Sequence, residues 1–562
     1  MMMVLAAGTT ATSPGTAREH VLPERNDDRA TREQTWSTAG DWQQSPPVRA
    51  EADGTRVAAL LSLHDSRSVS LQARGVATDA AGACAPGRDS GPWTAMDETF
   101  TGAELRVAVV DLEHEYGCAQ IRIPTADAGV VGNLQWELVE PRYPDAGQAS
   151  RDLAAASPTL HAVAPELETI GVITREEWGA RATQCSAPED DWYRMAIHHT
   201  AGPQTAGGSV EEQLRGTQAY GMDSGGYCDI PYQMLVGFDG TLYEGRALEL
   251  QSGATGGGNN PGNLAVCFIG CYHEPEAECV GGVGHQPTDE MMARGQLLVQ
   301  TLVRLFDIST ADDNIRGHRD WPGNSTACPG ARLHPRLGEF RADLSWFAAA
   351  EVERSWDAEV EVEVAVGAST ELWIELENTG GLPWLPGETF LAPTEPRDTE
   401  SPLYDPSWSS ENRAATVDAA VQPGEVGRFA MGVSVASEGT FTQSFGLVHE
   451  GTTWFADAPW GGGPTDDAVT LTVRGVQGAD GTSTGGDGSS SGNPDPTEPG
   501  GTGGGTTGAV SPDGSSSDDG GTWALPPQTG EDDGCGCRTS PDSGAWWGLG
   551  LFGLLLARRR RS

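Results

Sequence analysis

A histidine and a cysteine lie near the two ends of one short stretch, GHRDWPGNSTACPG, over residues 317–330. His318 is followed ten positions later by Cys328, which precedes a Pro-Gly turn. Imidazole and thiolate are both ligands of Zn²⁺ in proteins. The stretch therefore predicts part of a metal clamp, if the fold brings further ligands to it.

Two more imidazoles stand at the end of a predicted strand, RMAIHHT over 194–200, which finishes at His198 and His199. Two imidazoles and one thiolate supply three ligands of a tetrahedral Zn²⁺ ion and leave the fourth position for water. That arrangement is typical of catalytic rather than structural zinc. A His-His pair on a strand is more often structural, so these residues alone leave both interpretations open.

The elements that would position these residues lie in residues 168–350. Apolar strand patterns alternate there with helical patterns, and the two main helices begin at the capping residues Ser209 and Thr288. We therefore predict a mixed α/β domain with helices packed on a mixed sheet.

The flanking segments have a different pattern. Residues 32–150 and 355–475 carry short alternating apolar runs separated by turn residues, which predicts two antiparallel β-sandwich domains. The stretch ELENTGGLPW in the second resembles the start of immunoglobulin-like domains found beside bacterial hydrolases. The predicted architecture is a central α/β domain between two β-sandwiches.

Composition excludes one class of partner. The formal net charge of the 562 residues is −45, whereas nucleic-acid binding needs a basic face. Residues 476–534 are rich in Gly, Ser and Asp, which predicts a disordered linker. We expect a monomer of several domains that does not bind nucleic acid.

The two ends suggest export. Residues 1–31 begin with a short apolar run that lacks a basic region, and we interpret them as a leader or a disordered segment. Residues 535–562 combine a CGC motif, an apolar run and the four consecutive arginines 558–561, and they resemble the C-terminal sorting signals of myxobacterial surface proteins. A simple membrane tail anchor is the alternative. Either way, we expect the protein at the cell surface or outer envelope.

The ten cysteines favour disulfides and an oxidising compartment. Cys84 and Cys118 could pin the first sandwich, and Cys271 and Cys279 could form a second bridge across a short loop. Cys267, inside an apolar strand, is most simply a buried free thiol.

Five motifs occur in an order and spacing that resembles the peptidoglycan recognition protein and N-acetylmuramoyl-L-alanine amidase family. They are TREEWGAR (174–181), AIHHTAG (196–202), GYCDIPYQMLVGFDGTLYEGR (226–246), GNNPGNLAVCFIG (258–270) and the stretch 317–330. The resemblance covers the central domain.

The resemblance implies a Zn²⁺ site and roles for single residues. It implies the metal ligands His198, His318 and Cys328, the catalytic residues Tyr232 and Thr326, substrate contacts by Arg246, Asn260 and Thr255, and a disulfide between Cys185 and Cys228. Tyr232 would stabilise the oxyanion, and His199 would face away from the metal. The His318–Cys328 spacing of ten exceeds the family's commoner eight, so we expect Pro322–Asn324 to bulge from the loop.

The function implied is zinc-dependent hydrolysis of the amide between N-acetylmuramic acid and L-alanine of peptidoglycan. A recognition protein that binds muramyl stem peptides without hydrolysis is the alternative, although Cys328, commonly replaced by Ser in such modules, is present. A structural adhesin is a third hypothesis, supported only by the sandwiches and the linker.

Overall fold

The computed structural model describes residues 2–6, 16–20, 32–63, 68–87, 89–102, 105–140, 160–201, 209–224, 227–256, 258–274 and 284–478. The C-terminal segment and nearly all of the predicted linker lie outside these residues. Within the described ranges, no helix is long and apolar enough to span a bilayer.

One antiparallel sheet occupies the first part of the chain. Its eleven described strands are β1 Met2–Ala6, β2 Thr16–His20, β3 Arg32–Thr35, β4 Ser37–Ala39, β5 Trp42–Gln44, β6 Val48–Leu63, β7 Gln72–Val76, β8 Thr94–Ala95, β9 Asp97–Thr101, β10 Leu105–Pro124 and β11 Val131–Val139. Strands β6 and β10 form its centre. The segment after β7 is linked to β10 by the Cys84–Cys118 disulfide. Strands β1 and β2 fall within residues 1–31, so the sheet extends into the segment that we had interpreted as a leader or disordered.

Strand β6 takes part in two hydrophobic cores. Val57, Ala59 and Leu61 pack inside the first domain, whereas Ala58 and Leu60 on the opposite face join a core with the central domain. The alternation of side chains along a strand accounts for this division. The first domain is therefore docked on the central domain through a buried sheet face.

The central domain contains a six-stranded mixed sheet. Its strands are β12 Val172–Ile173, β13 Arg194–His199, β14 Met234–Val236, β15 Leu242–Glu244, β16 Asn263–Phe268 and β17 Ile315–Gly317, in the order β12-β15-β14-β16-β13-β17. Only the β14–β15 pair is antiparallel among these described strands. Strand β13 lies between β16 and β17, which places its carboxyl end inside the domain.

Five described helices surround this sheet: α1 Leu160–Val163, α2 Pro165–Thr169, α3 Val210–Asp223, α4 Asp289–Phe306 and α5 Leu337–Arg341. The predicted caps of the two long helices are confirmed. Ser209 accepts a hydrogen bond from a backbone N–H in the first turn of α3, and Thr288 does the same for α4.

The third domain is a two-sheet sandwich. Its strands are β18 Ala349–Arg354, β19 Val362–Ala365, β20 Ser369–Asn378, β21 Thr389–Thr394, β22 Ala415–Thr416, β23 Val426–Ser434, β24 Gly439–His449, β25 Thr453–Trp454 and β26 Val469–Val476. Strands β18, β20 and β23 form one sheet, and the other strands form the second. Because β18 begins at Ala349, the sandwich starts before the predicted boundary at residue 355.

Trp346 joins the central and third domains. Its indole nitrogen donates to Thr301 of α4 at 2.9 Å, and its ring stacks on Trp460 with ring centres 3.9 Å apart. One continuous hydrophobic core runs from the central sheet into the sandwich. Domains on both sides are thus packed against the central domain.

A charge placed at Gly216 should separate the first domain from α3. A Cβ at Gly216 would lie 3.2 Å from Leu105 Cδ1 and 3.6 Å from Phe100 Cε1. We expect Gly216→Glu to lower the free energy of unfolding by about 2 kcal/mol or more, because it buries an unpaired carboxylate in an apolar contact. Thermal unfolding measures this. The control Gly338→Glu introduces the same charge in α5, where a Cβ meets no atom within 4 Å; equal unfolding of the two variants would contradict the docking.

Candidate metal centre

Parallel pairing brings two histidines to one edge of the central sheet. His198 lies near the carboxyl end of β13, and His318 immediately follows the neighbouring strand β17. Ile197 pairs with Gly317 in register, so the two histidines emerge side by side. Their ring centres are 4.7 Å apart.

Cys328 completes a three-residue group. One nitrogen each of His198 and His318 and the Cys328 sulfur all lie within 4.8 Å of one another. The sulfur is 3.7 Å from His198 Nδ1. His198 and Cys328 are buried, so the group is shielded from bulk water. Their donor types are those of a tetrahedral zinc site with one open position.

The hydrogen bonding of His318 leaves one nitrogen available for a metal. Its Nε2 donates to the Thr255 carbonyl oxygen at 3.0 Å, which fixes the proton on that nitrogen. Its Nδ1 is buried and has no hydrogen-bond partner among the described residues. A histidine ligand commonly donates its other N–H to a carbonyl in this way. The buried, unpartnered nitrogen therefore fits a metal ligand.

Burial sets the protonation of these groups. It lowers the pKa of His198 well below its usual value, with further repulsion from His318, and it lowers the pKa of His318 to about 4. Burial also raises the pKa of Cys328 to about 12, against the opposing effects of a hydrogen bond from the His199 N–H and the Arg319 charge. The imidazoles are thus neutral at pH 7, as ligation requires, and a bound cation would displace the thiol proton.

The long loop between His318 and Cys328 closes on itself. The Arg319 N–H donates to the Cys328 carbonyl at 2.9 Å, and a turn at residues 321–324 is closed by the Asn324 N–H on the Trp321 carbonyl at 3.2 Å. Gly323 has φ +84° in this turn, a conformation that suits glycine. The turn takes up the residues of the expected bulge, and the ligand atoms still converge.

Thr326 lies two residues before the thiol. Its hydroxyl accepts a hydrogen bond from the Cys328 N–H at 3.2 Å. This contact orients the backbone at Cys328. The catalytic role implied for Thr326 stays a prediction.

Tyr232 approaches the group from the neighbouring part of the sheet. Its ring centre is 5.3 Å from that of His198, and its hydroxyl is buried without a hydrogen-bond partner among the described residues. Burial, together with the nearby Cys267 and Cys328, raises its pKa well above the usual value. The hydroxyl therefore stays protonated and can donate a hydrogen bond.

Arg246 has a different environment from the one that we expected. It is buried, and its guanidinium donates to three backbone carbonyl oxygens at 2.8, 3.0 and 3.3 Å. These contacts hold together the chain around residues 229–251. Arg246 thus supports this loop, and the substrate contact that the resemblance implied for it stays a prediction.

Asn260 and Thr255 are also buried, and together they support the two candidate ligand histidines. The Asn260 side-chain oxygen accepts hydrogen bonds from the backbone N–H groups of Thr255 and Gly256, at 2.9 and 3.1 Å. Thr255 in turn contacts both histidines: its hydroxyl is 3.4 Å from His198 Nε2, and its carbonyl receives the His318 N–H. The resemblance had implied substrate contacts for both residues. Sequence reasoning missed their support of the ligands, because a loop carbonyl leaves no signal in residue type.

His199 faces away from this group, as period-two geometry predicts. Its Nδ1 accepts the Tyr272 N–H at 3.2 Å, and its ring packs edge-on against His273. His199, His273 and Cys271 lie close together, but Cys271 is disulfide-bonded and offers no thiolate. Cys279, its suggested partner, lies outside the described residues. We interpret this second group as packing.

The predictions for three further cysteines are confirmed. Cys185 and Cys228 form a disulfide, with Cα atoms 4.9 Å apart. Cys267 is a buried free thiol on β16, in register with His198.

Residues 190–331 match the family described as N-acetylmuramoyl-L-alanine amidase. The chain is 31% identical over 165 residues to peptidoglycan recognition protein 1 of Rattus norvegicus, covering 29% of this chain and 83% of the relative. It is 30% identical over 184 residues to peptidoglycan-recognition protein SC2 of Drosophila melanogaster, covering 32% and 89%. A solved structure of human PGRP-Iβ C in complex with glycosamyl muramyl pentapeptide shares 26% identity, with a TM-score of 0.26 and coverage of 30% and 94%.

Proposed function

The chain belongs to the peptidoglycan recognition protein and N-acetylmuramoyl-L-alanine amidase family, and from this premise we propose that it is a zinc-dependent peptidoglycan amidase. The bond cleaved would join the lactyl group of N-acetylmuramic acid to L-alanine. The observation that carries this proposal is the convergence of Cys328 with two neutral imidazoles, one of which has a buried nitrogen without a partner among the described residues.

The proposed ligand residues fit zinc by the type of their donor atoms and by the hydrogen bond that orients His318. His198, His318 and Cys328 would hold the ion, which when bound would polarise the scissile carbonyl and lower the pKa of water. The Thr255 carbonyl keeps the His318 ring in its ligating tautomer. The Tyr232 hydroxyl would donate to the oxygen on which negative charge develops, in a buried place where such a bond is strong.

Zinc content and amide cleavage, measured together, test the proposal. Purified protein should contain one equivalent of zinc and release stem peptide from soluble muropeptides, and a chelator should abolish the release until zinc is restored. Recognition without catalysis is the second candidate, favoured by the recognition proteins among the relatives. Muropeptide binding without zinc or cleavage would select that candidate. Muropeptides with meso-diaminopimelate and with lysine would show the stem preference.

We also propose that the protein is exported and held at the cell surface through residues 535–562. The disulfides Cys84–Cys118 and Cys185–Cys228, together with the disulfide-bonded Cys271, support an oxidising compartment. Deleting residues 535–562 should move the protein from the envelope fraction to the medium, with its specific activity on soluble muropeptides unchanged. Immunoblots of the two fractions measure this; retention of the truncated protein in the envelope would show that another region holds it.

A further inference from the structure

Four side chains stack in alternation on the first domain, in the order Trp42, Arg122, Trp93 and Arg74, and we call them the Trp–Arg ladder. The guanidinium carbon of Arg122 lies 4.2 Å from the centre of the Trp42 ring and 4.4 Å from that of Trp93. The guanidinium carbon of Arg74 lies 4.6 Å from the same Trp93 ring. All four residues are half-buried, so the ladder reaches the protein surface.

The ladder stands on the face of the sheet that points away from the domain's own core. On β10 and β7 the alternate residues Ile121, Ile123 and Ala73 pack in that core, so Arg122 and Arg74 point to the other side. The first part of β10 contributes Leu105 and Val107 to the core shared with the central domain. The outer face of β10 is therefore covered near its start and reaches solvent at the ladder.

Neighbouring amides hold both guanidinium groups in place. Arg74 Nε donates to Gln120 Oε1 at 3.0 Å, and Arg122 Nε donates to Gln72 Oε1 at 2.9 Å. Gln120 is fixed in turn by a 2.9 Å hydrogen bond to the Ser45 carbonyl. A planar guanidinium held in this way loses little conformational freedom when it binds an anion.

The ladder carries positive charge, and no carboxylate of the described residues is paired with it. Among the described residues, neither arginine of the ladder forms an ion pair, and neither Nη1 atom has a hydrogen-bond partner. Burial lowers the pKa of both guanidinium groups, and repulsion from Arg74 lowers that of Arg122 further. The second effect, on Arg122, is the one expected when two like charges lie close together.

The third domain shows what a neutralised stack looks like. Arg397 and Arg413 lie over the Trp454 ring at 4.6 and 5.7 Å. There Arg397 is paired with two aspartates, and Arg413 with Asp398 and Glu450. A stack that serves packing alone can thus be balanced by acids in this chain, which has 80 acidic residues. The Trp–Arg ladder differs because no acid in the described part of the chain is paired with its arginines.

We propose that the Trp–Arg ladder is a second peptidoglycan-binding surface, separate from the amidase centre, that holds the polymer through its free carboxylates. Stem peptides carry carboxylates along a glycan whose C–H groups pack on indole rings, and the free N–H groups of the ladder are charge-assisted donors for those carboxylates. The proposal rests on the proposed function for the identity of the polymer. A surface of this kind would keep the catalytic domain on insoluble wall between cleavage events.

Sedimentation of the full chain with purified sacculi tests this surface. The double variant Arg74→Gln, Arg122→Gln should bind sacculi about tenfold more weakly, the loss expected from about 1.4 kcal/mol of charge-assisted hydrogen bonding. Its rate on small soluble muropeptides should match that of the unmodified chain, since neither arginine contacts the metal centre. That second readout separates failure of the surface from failure of the amidase proposal.

The control is Arg428→Gln in the third domain. Arg428 also stacks on a tryptophan, at 4.2 Å from the Trp373 ring, but it is paired with Glu375. This control should change sacculus binding by less than about twofold. Sacculi whose carboxylates have been converted to amides should bind the unmodified chain and the double variant equally.

Two results would overturn the proposal. The first is unchanged sacculus binding by the double variant. The second is a tenfold loss that persists on amidated sacculi, because the ladder would then recognise something other than carboxylates.

Discussion

Cys328→Ser is expected to abolish zinc binding and to lower amide hydrolysis by on the order of 10³-fold or more, while the domain stays folded. A neutral hydroxyl is a far poorer zinc ligand than a thiolate. The fold should survive because Cys328 is also held through its backbone, which receives the Arg319 N–H and donates to Thr326. Metal analysis, circular dichroism and turnover on soluble muropeptides measure the three properties.

Cys267→Ser is the matched control. Cys267 is the other buried free cysteine of the described residues, and it pairs in register with His198 without belonging to the ligand group. This variant should keep its zinc. Unchanged turnover in Cys328→Ser would remove that residue from the site, and unfolding of the variant would make the metal structural instead.

Tyr232→Phe is expected to lower kcat by about 10² while zinc content and KM stay close to those of the unmodified protein. The hydroxyl would act only on charge that develops in the transition state. Because that hydroxyl is buried and has no partner among the described residues, its removal should leave the thermal midpoint unchanged or slightly raised. Steady-state kinetics and thermal unfolding measure the two effects.

Tyr243 provides the opposite case. Its hydroxyl donates to Glu211 at 2.9 Å, so Tyr243→Phe should lower stability by about 1 kcal/mol and leave kcat unchanged. If Tyr232→Phe instead behaves like Tyr243→Phe, its ring serves packing and another group stabilises the oxyanion.

The convergence of His198, His318 and Cys328 could be inferred from sequence because strand order and motif order agree. His198 ends one strand and His318 follows the next strand in the sheet, so parallel pairing alone brings them together. The ten-residue spacing to Cys328 could not be judged from sequence. Its closure depends on a turn at residues 321–324 and a backbone hydrogen bond from Arg319.

The docking of the first domain left a signal that we did not use. The run VAALL over 57–61 is continuously apolar, whereas a strand with one exposed face alternates. In the structure the odd residues pack in the first domain and the even ones pack against the central domain. An interpretation of this run as an ordinary sandwich strand does not predict the core shared with the central domain.

The hydrogen bonds of Arg246, in contrast, left no signal in the sequence. An arginine in a groove motif suggests charge offered to a substrate, but its guanidinium donates to three backbone carbonyls. Carbonyl groups occur at every residue, so their convergence depends on loop conformation and not on residue type. For the same reason, the hydrogen bond from His318 to the Thr255 carbonyl could not be predicted from sequence.

Mass spectrometry of the products from one defined muropeptide tests the central claim most directly. Zinc-loaded protein should convert it into N-acetylmuramic acid with a free lactyl carboxylate and a stem peptide with a free L-alanine amine, and Cys328→Ser should leave it intact. Recovery of the intact muropeptide bound to the zinc-loaded protein would contradict the amidase and identify a recognition protein.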